Sequence, residues 1–276
     1  MINTPISYLE AGHGQTKNGY LWITRSSENG GVYYHWATSR AQDELIQLLN
    51  LVDPKATSKK YHLQCDGYSA YNAVAKRFKS IKLGACLAHI RRKFLPLNGA
   101  TSPEWVEQLL KRIQKLYAIE RTLRYQNAPP DRRKQIRQQE SFPICEAIKQ
   151  QLDDQVLKQR PQSQLGKAVN YALGQWTQWI SYLEDGRMEI DNNGAENAIR
   201  PTKLGAKNWL FFGNAKAGHQ SAAIYTILQN CKTHGLNPRN YLEYVFEALK
   251  TQPAEELTPA KVVEVLRMQN DADKAA

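Results

Sequence analysis

The stretch Tyr61-His62-Leu63-Gln64-Cys65-Asp66-Gly67-Tyr68-Ser69-Ala70-Tyr71 decides how this chain is read. Tyr61 to Cys65 has strand character and runs without a spacer into Asp66-Gly67. Ser69 to Phe78 then reads as a helix, and a short apolar run follows from Ile81 to Leu87. A strand that ends on a carboxylate and a glycine before a helix is where α/β sheets place reactive groups. The bland alternative is an aspartate that only caps the helix behind it.

Toward the N-terminus the pattern alternates as sheets do. Ile6 to Leu9, Tyr20 to Thr24 and Val32 to Trp36 are rich in aromatic and β-branched residues, with Gly12, Gly14, Gly30 and Gly31 in the gaps. Glu28-Asn29-Gly30-Gly31 reads as a hairpin turn, and Ser39 as the N-cap of a helix that carries Leu45, Leu48 and Leu49. Three antiparallel strands, a helix, a strand and a helix follow the order of ribonuclease-H-like α/β folds. An order of elements does not by itself fix function.

Toward the C-terminus, Trp105, Leu109, Ile113, Leu116, Ile119 and Leu123 recur at helical spacing. Asn127-Ala128-Pro129-Pro130 breaks that helix, Asp131 is a candidate cap for the next, and Phe142–Leu157 and Leu165–Tyr182 complete a helical block. The expected organisation is a ribonuclease-H-like core, a mixed sheet with flanking helices, interrupted by an all-helical insertion. Its first part is residues 1–100, the insertion 101–188, the remainder of the core 189–250 and a C-terminal tail 251–276.

The chain has 276 residues, 42% hydrophobic and 23% charged, which excludes wholesale disorder. No apolar run approaches the roughly 18 residues that cross a bilayer, and no basic-then-apolar leader follows Met1, so a soluble, cytoplasmic protein with no membrane partner is expected. The net charge of +11 attracts polyanions, of which nucleic acid is the commonest in a cell. Residues 86–160 hold 15 Lys/Arg against 8 Asp/Glu, which fits a solvated helix face and a nucleic-acid surface equally well. From Asn197 to Leu242 there is no acidic residue but six basic ones, Arg200, Lys203, Lys207, Lys216, Lys232 and Arg239, interleaved with Trp209, Phe211 and Phe212. That segment is read as a phosphate-contacting surface rather than a buried aromatic cluster edged with lysines.

The four cysteines are scattered, and Cys86 with His89 supplies two ligands where a zinc site uses three or four. A second carboxylate of interest is Glu196 in Asp191-Asn192-Asn193-Gly194-Ala195-Glu196, where Asn192 or Asn193 is a good N-cap and Glu196 falls in the first helical turn. A capping box is the bland reading. The chemical reading is that Asp66 and Glu196 converge on divalent cations, a pair of which about 4 Å apart supports phosphoryl transfer. Such a site uses three acidic residues, and the sequence offers two good ones.

These segments resemble the insertion sequence 66 family of DDE transposases. Gln64 to Tyr71 is similar to that family's strand-to-helix segment, Cys86-Leu87-Ala88-His89-Ile90-Arg91-Arg92-Lys93-Phe94 to its C-x-A-H-x-R-R-K-F signature, and Asp191 to Pro201 to its D-N-N-x-A-E-x-x-I-R-P motif, continued by Lys207-Asn208-Trp209-Leu210-Phe211 and Gly213. The resemblance implies a ribonuclease-H-like enzyme that cuts and joins DNA at transposon ends with Mg²⁺ or Mn²⁺, as a homo-oligomer on DNA. It makes Asp66 and Glu196 the second and third catalytic, metal-holding carboxylates, and places His89, Arg91, Arg92, Arg200, Lys203 and Lys207 toward DNA.

The start of the chain departs from the pattern. The family has an Asp two residues before a Thr-Pro pair, and here Thr4-Pro5 is preceded at that distance by Ile2. The expectation is an N-terminally truncated transposase impaired by loss of its first carboxylate. The rival is a non-catalytic DNA-binding remnant or regulator on the same fold, which would show no metal dependence. A junction or repair nuclease ranks last, because it would keep a full acidic triad.

Overall fold

A computed structural model describes residues 1–10, 12, 14–52, 61–99 and 102–275. Three strands open the chain, β1 (Ile2–Leu9), β2 (Thr16–Arg25) and β3 (Val32–Ala37), and a two-residue β6 (Phe211–Phe212) joins them in the order β3-β2-β1-β6. β1 and β3 are antiparallel to β2, whereas β6 runs parallel to β1 at Ser7 and Tyr8, so this sheet is mixed. Alternation in β1 is strict: Ile2, Thr4, Ile6 and Tyr8 are buried, with the residues between them more exposed. The expected turn at Glu28–Gly31 is present. Gly30 adopts φ +71, and the Asn29 side chain accepts the Gly31 N–H at 2.9 Å.

β4 (Tyr61–Cys65) and β5 (Ile81–Ala85) are parallel to each other and form a separate two-stranded sheet among the described residues, with Cys65 in register with Ala85. The helices are α1 (Gln42–Val52), α2 (Ser69–Arg77), α3 (Leu87–Phe94), α4 (Glu104–Tyr125), α5 (Pro130–Ile136), α6 (Phe142–Val156), α7 (Gln164–Gly174), α8 (Trp176–Ile180), α9 (Asn193–Trp209), α10 (Ala215–Thr233), α11 (Pro238–Ala248) and α12 (Pro259–Ala275). The protein is therefore a mixed α/β chain. It divides into two units, residues 41–194 with Met1, and residues 2–40 with 195–276.

In the first unit, α4, α6 and α7 close over α3 and β5 around Leu87, Phe94, Leu109, Ile113, Leu116, Ile148, Val169 and Trp179. Each such buried side chain contributes about 1.5–3 kcal/mol relative to exposure. Two sequence expectations shift here. Asp131 does not cap α5: Pro129 takes the N-cap position and Asp131 sits inside the first turn, because a proline at the first helical position is already set for helix. The Leu165–Tyr182 run is two helices broken at Gln175, and it closes in a 3₁₀ turn, Ser181–Leu183.

In the second unit, α10 lies along β3 and satisfies its outer edge with side chains. Asn230 accepts the Val32 N–H at 3.1 Å and donates to the Val32 carbonyl at 2.6 Å, while Thr226 accepts the Tyr34 N–H at 3.0 Å. An edge strand covered in this way cannot template another chain there. Trp36 fills the space between Gly19 and Gly218, where a methyl group on either glycine would overlap the indole. The stretch expected as a tail is folded: α12 packs with α10 and α11 through Leu257, Val262, Val263 and Leu266, and Tyr241 donates its hydroxyl to the Leu257 carbonyl at 2.7 Å. Among the described residues no helix is long and apolar enough to cross a membrane.

Candidate functional site

In the first unit the neighbouring carboxyl ends of β4 and β5 carry the sequence-predicted chemistry. Asp66 follows the last residue of β4 and is half-buried. Its Oδ1 accepts the Tyr68 N–H at 3.3 Å, which closes a turn ahead of α2. Tyr68, not Asp66, stands at the N-cap position of α2. Gly67 crosses α7 so closely that a Cβ would lie 3.0 Å from the Tyr171 hydroxyl. Burial pushes that phenol upward, and the neighbouring Asp66 charge adds to the effect. Lys93 stands 5.1 Å from the centre of the same ring.

At the end of β5, Cys86 is the N-cap of α3 and its sulfur accepts the Asn192 N–H at 3.4 Å. Burial pushes the thiol up to about 11, opposed by the N–H groups of Asn192, His89 and Ala88. His89 is half-buried in the first turn of α3, and Arg91 and Arg92 are exposed. Helical spacing puts His89 and Arg92 on one side and Arg91 on another, so the three do not form one face.

Asp191, Asn192 and Asn193 meet this end as a strap: the Leu87 N–H donates to the Ile190 carbonyl at 3.2 Å, and the Gln64 side chain donates to the Glu189 carbonyl at 2.7 Å. α9 begins at Asn193, which puts Asn192 at the expected cap position, while the side-chain bonds there are made by Asp191. Asp191 accepts the Asn193 N–H at 3.0 Å and its side-chain amide at 2.6 Å, because a carboxylate two residues upstream is the stronger acceptor. Burial raises the Asp191 carboxyl, partly offset by the Asn193 N–H and the Tyr117 hydroxyl. Asn192 is buried, and its side-chain amide has no hydrogen-bond partner among the described residues. Asp191, Asn192, Tyr117 and Tyr171 are not singled out as site residues by the sequence, which has no spacing that separates them from core or cap positions.

The remaining candidates belong to the second unit. Glu196 lies in the first turn of α9 and is half-buried. Arg200, Lys203 and Lys207 follow at helical spacings of four, three and four, all exposed. The four therefore share one stripe about 16 Å long. Ala195, Ala198, Ile199 and Thr202 are the buried residues of the same helix. None of the three cations has an acidic partner among the described residues. Of the interleaved aromatics, Phe212 is buried and stacks on Trp209 with centroids 4.8 Å apart, while Phe211 is exposed. The buried-cluster reading therefore holds for Trp209 and Phe212, and the outward surface is formed by the basic residues. Ile2 is buried in the core of this unit, paired across the sheet with Ile23.

Residues 3–220 match the Transposase IS66 family. The chain belongs to the IS66 transposase family. Residues 226–258, the end of α10 and all of α11, match the IS66 C-terminal element. Two curated relatives from Sinorhizobium fredii, the uncharacterized proteins y4jD and y4qI, are 33% identical over 259 residues and 31% over 252. The alignments take in 89% and 87% of this chain but 49% and 45% of the relatives, so this IS66 chain spans about half their length. No solved structure matches it.

Proposed function

We propose that this IS66 chain carries the DNA-cleaving and strand-transferring portion of a transposase acting at transposon ends. The observation that supports it best is the α9 stripe, a carboxylate at the helix start followed by three outward cations without acidic partners among the described residues. Arg200, Lys203 and Lys207 would neutralise successive backbone phosphates, which positions a duplex without reading its sequence. His89, Arg91 and Arg92 would add contacts from the first unit. The finer reading assigned here is a ribonuclease-H-like core made of residues 1–100 and 189–250, an insertion at 101–188, an appended 251–276 and assembly as a homo-oligomer on DNA.

Asp66 offers hard oxygen donors, which suits Mg²⁺ or Mn²⁺. Asp66 and Glu196 would hold the cation. When bound it would polarise the scissile phosphate and lower the pKa of the attacking water or hydroxyl.

A non-catalytic DNA-binding form is the second reading, favoured by Ile2, an apolar core residue where the family pattern has Asp. The test is Mn²⁺-dependent cleavage of transposon-end DNA by the chain, by Ile2→Asp and by Asp66→Asn. Cleavage by the chain or by Ile2→Asp that disappears when Asp66→Asn is added supports the transposase reading and the Asp66 assignment. Salt-sensitive binding with no cleavage in either form supports the second reading, and cleavage that survives Asp66→Asn removes Asp66 from the site.

A further inference from the structure

The sequence-predicted residues leave unused the largest buried polar group of the first unit. Arg137 is fully buried at the start of a π-helical turn, Arg137–Ser141, between α5 and α6. Such turns are rare and recur at functional positions. All five of its N–H donors are used. Nε and one Nη2 hydrogen reach the two Glu120 carboxylate oxygens at 2.7 and 2.8 Å. The other three go to main-chain carbonyls downstream, Tyr182 at 2.8 Å, Asp185 at 3.0 Å and Met188 at 2.9 Å.

Neighbouring groups hold the same segment. Gln138 donates to the Leu183 carbonyl at 2.9 Å, and Arg133 and Arg124 reach the Glu189 carboxylate at 2.9 and 3.2 Å. On the opposite side His62 of β4 pairs with Asp185 at 3.0 Å. Gly186 runs so close to the Pro130 carbonyl that a methyl group there would overlap it. Three residues beyond Met188 the chain reaches Asp191, and then the N–H that Asn192 donates to Cys86.

We infer that Arg137 is a positioning residue, whose guanidinium fixes the 182–188 strap through three carbonyls so that Asp191, Asn192 and Asn193 arrive in register at the carboxyl ends of β4 and β5. A lysine cannot substitute, because it has three donors at a point rather than five in a planar fork. Only the cleavage arm of the test below rests on the proposed function.

The experiment compares the full chain with Arg137→Lys, which keeps the charge beside Glu120, and with Gln138→Ala, which removes one strap bond and should fold even where Arg137→Lys does not. Hydrogen exchange and alkylation of the buried Cys86 are read residue by residue. Both variants are expected to lose protection over 186–193 and to speed Cys86 alkylation at least about tenfold, while amides of α4, α6 and α7 keep theirs. In single-turnover cleavage the rate should fall about tenfold or more with the DNA dissociation constant within about twofold. Unchanged exchange over 186–193 in the folded variants, or protection lost evenly across 104–183, overturns the inference. Absence of cleavage in both the chain and its Ile2→Asp form sinks the proposed function but leaves the exchange and alkylation result decisive for Arg137.

Discussion

The helical block of the first unit and helix α9 of the second are both rich in basic residues, and they use them oppositely. In the block five cations turn inward or pair locally: Arg137 and Arg133 on Glu120, Arg124 on Glu189, Lys111 on Glu107 and Lys149 on Asp153. On α9, Arg200, Lys203 and Lys207 are exposed and in no ion pair among the described residues, although Glu196 shares their stripe. The +7 over residues 86–160 is thus partly tied up in structure, with Lys115, Arg121, Arg132 and Lys134 still exposed, whereas all three cations of the α9 stripe are offered outward. Net charge per segment does not reveal that difference; partners do.

The sharpest way to break this contrast is at Glu120. Glu120→Leu strands Arg137 without its counter-charge and is expected to cost about 3–5 kcal/mol in urea unfolding, with the salt dependence of DNA binding unchanged. A loss of DNA affinity at constant stability would mean that the block's cations face DNA after all.

Titration sharpens the same point. Burial alone would raise the Glu120 carboxyl, but Arg137 and Arg133 outweigh it and hold the group below the usual carboxylate range. The folded chain therefore binds that proton less tightly than the unfolded one. The stabilisation is complete above the ordinary glutamate range and disappears as pH falls through the lowered value. Glu120→Gln should flatten that acid limb of the stability curve, and an unaltered limb would show that the ion pair is not formed in solution.

On α9 the expected pattern is reversed. Arg200→Ala and Lys207→Ala should leave the melting temperature within error, while each reduces the salt slope of DNA binding by about one unit. An intact slope in both removes the stripe as a DNA surface. The smallest effect is at Leu210, which adopts φ +63 just after α9 and is exposed. Leu210→Gly should relieve about 1 kcal/mol of backbone strain, seen as a higher unfolding midpoint with DNA binding unaltered.

Alternation makes β1 to β3 legible in the sequence, and the run into Asp66-Gly67 makes β4 and α2 legible. The two-residue β6 is not, since two residues carry no period and its parallel pairing to Ser7 and Tyr8 spans about two hundred positions. Side-chain preference marks Ser39 as a cap, yet α1 begins at Gln42, which puts the cap position at residue 41; the signal is right for a helix start but two residues early. At the site, Glu196 in a first turn follows from local chemistry. Arg137 does not, because its carbonyl acceptors lie 45 to 51 residues downstream and a cation among Arg132, Arg133 and Lys134 looks like any solvated one.

Trp36 carries a consequence of a different kind. Its indole occupies the room that side chains at Gly19 and Gly218 would need. These three positions, far apart in the chain, are therefore not free to drift separately. A methyl at either glycine becomes tolerable only after the tryptophan has shrunk, and a smaller residue at 36 leaves a void that an alanine at 19 or 218 would partly refill. Among related sequences the three should change together or not at all.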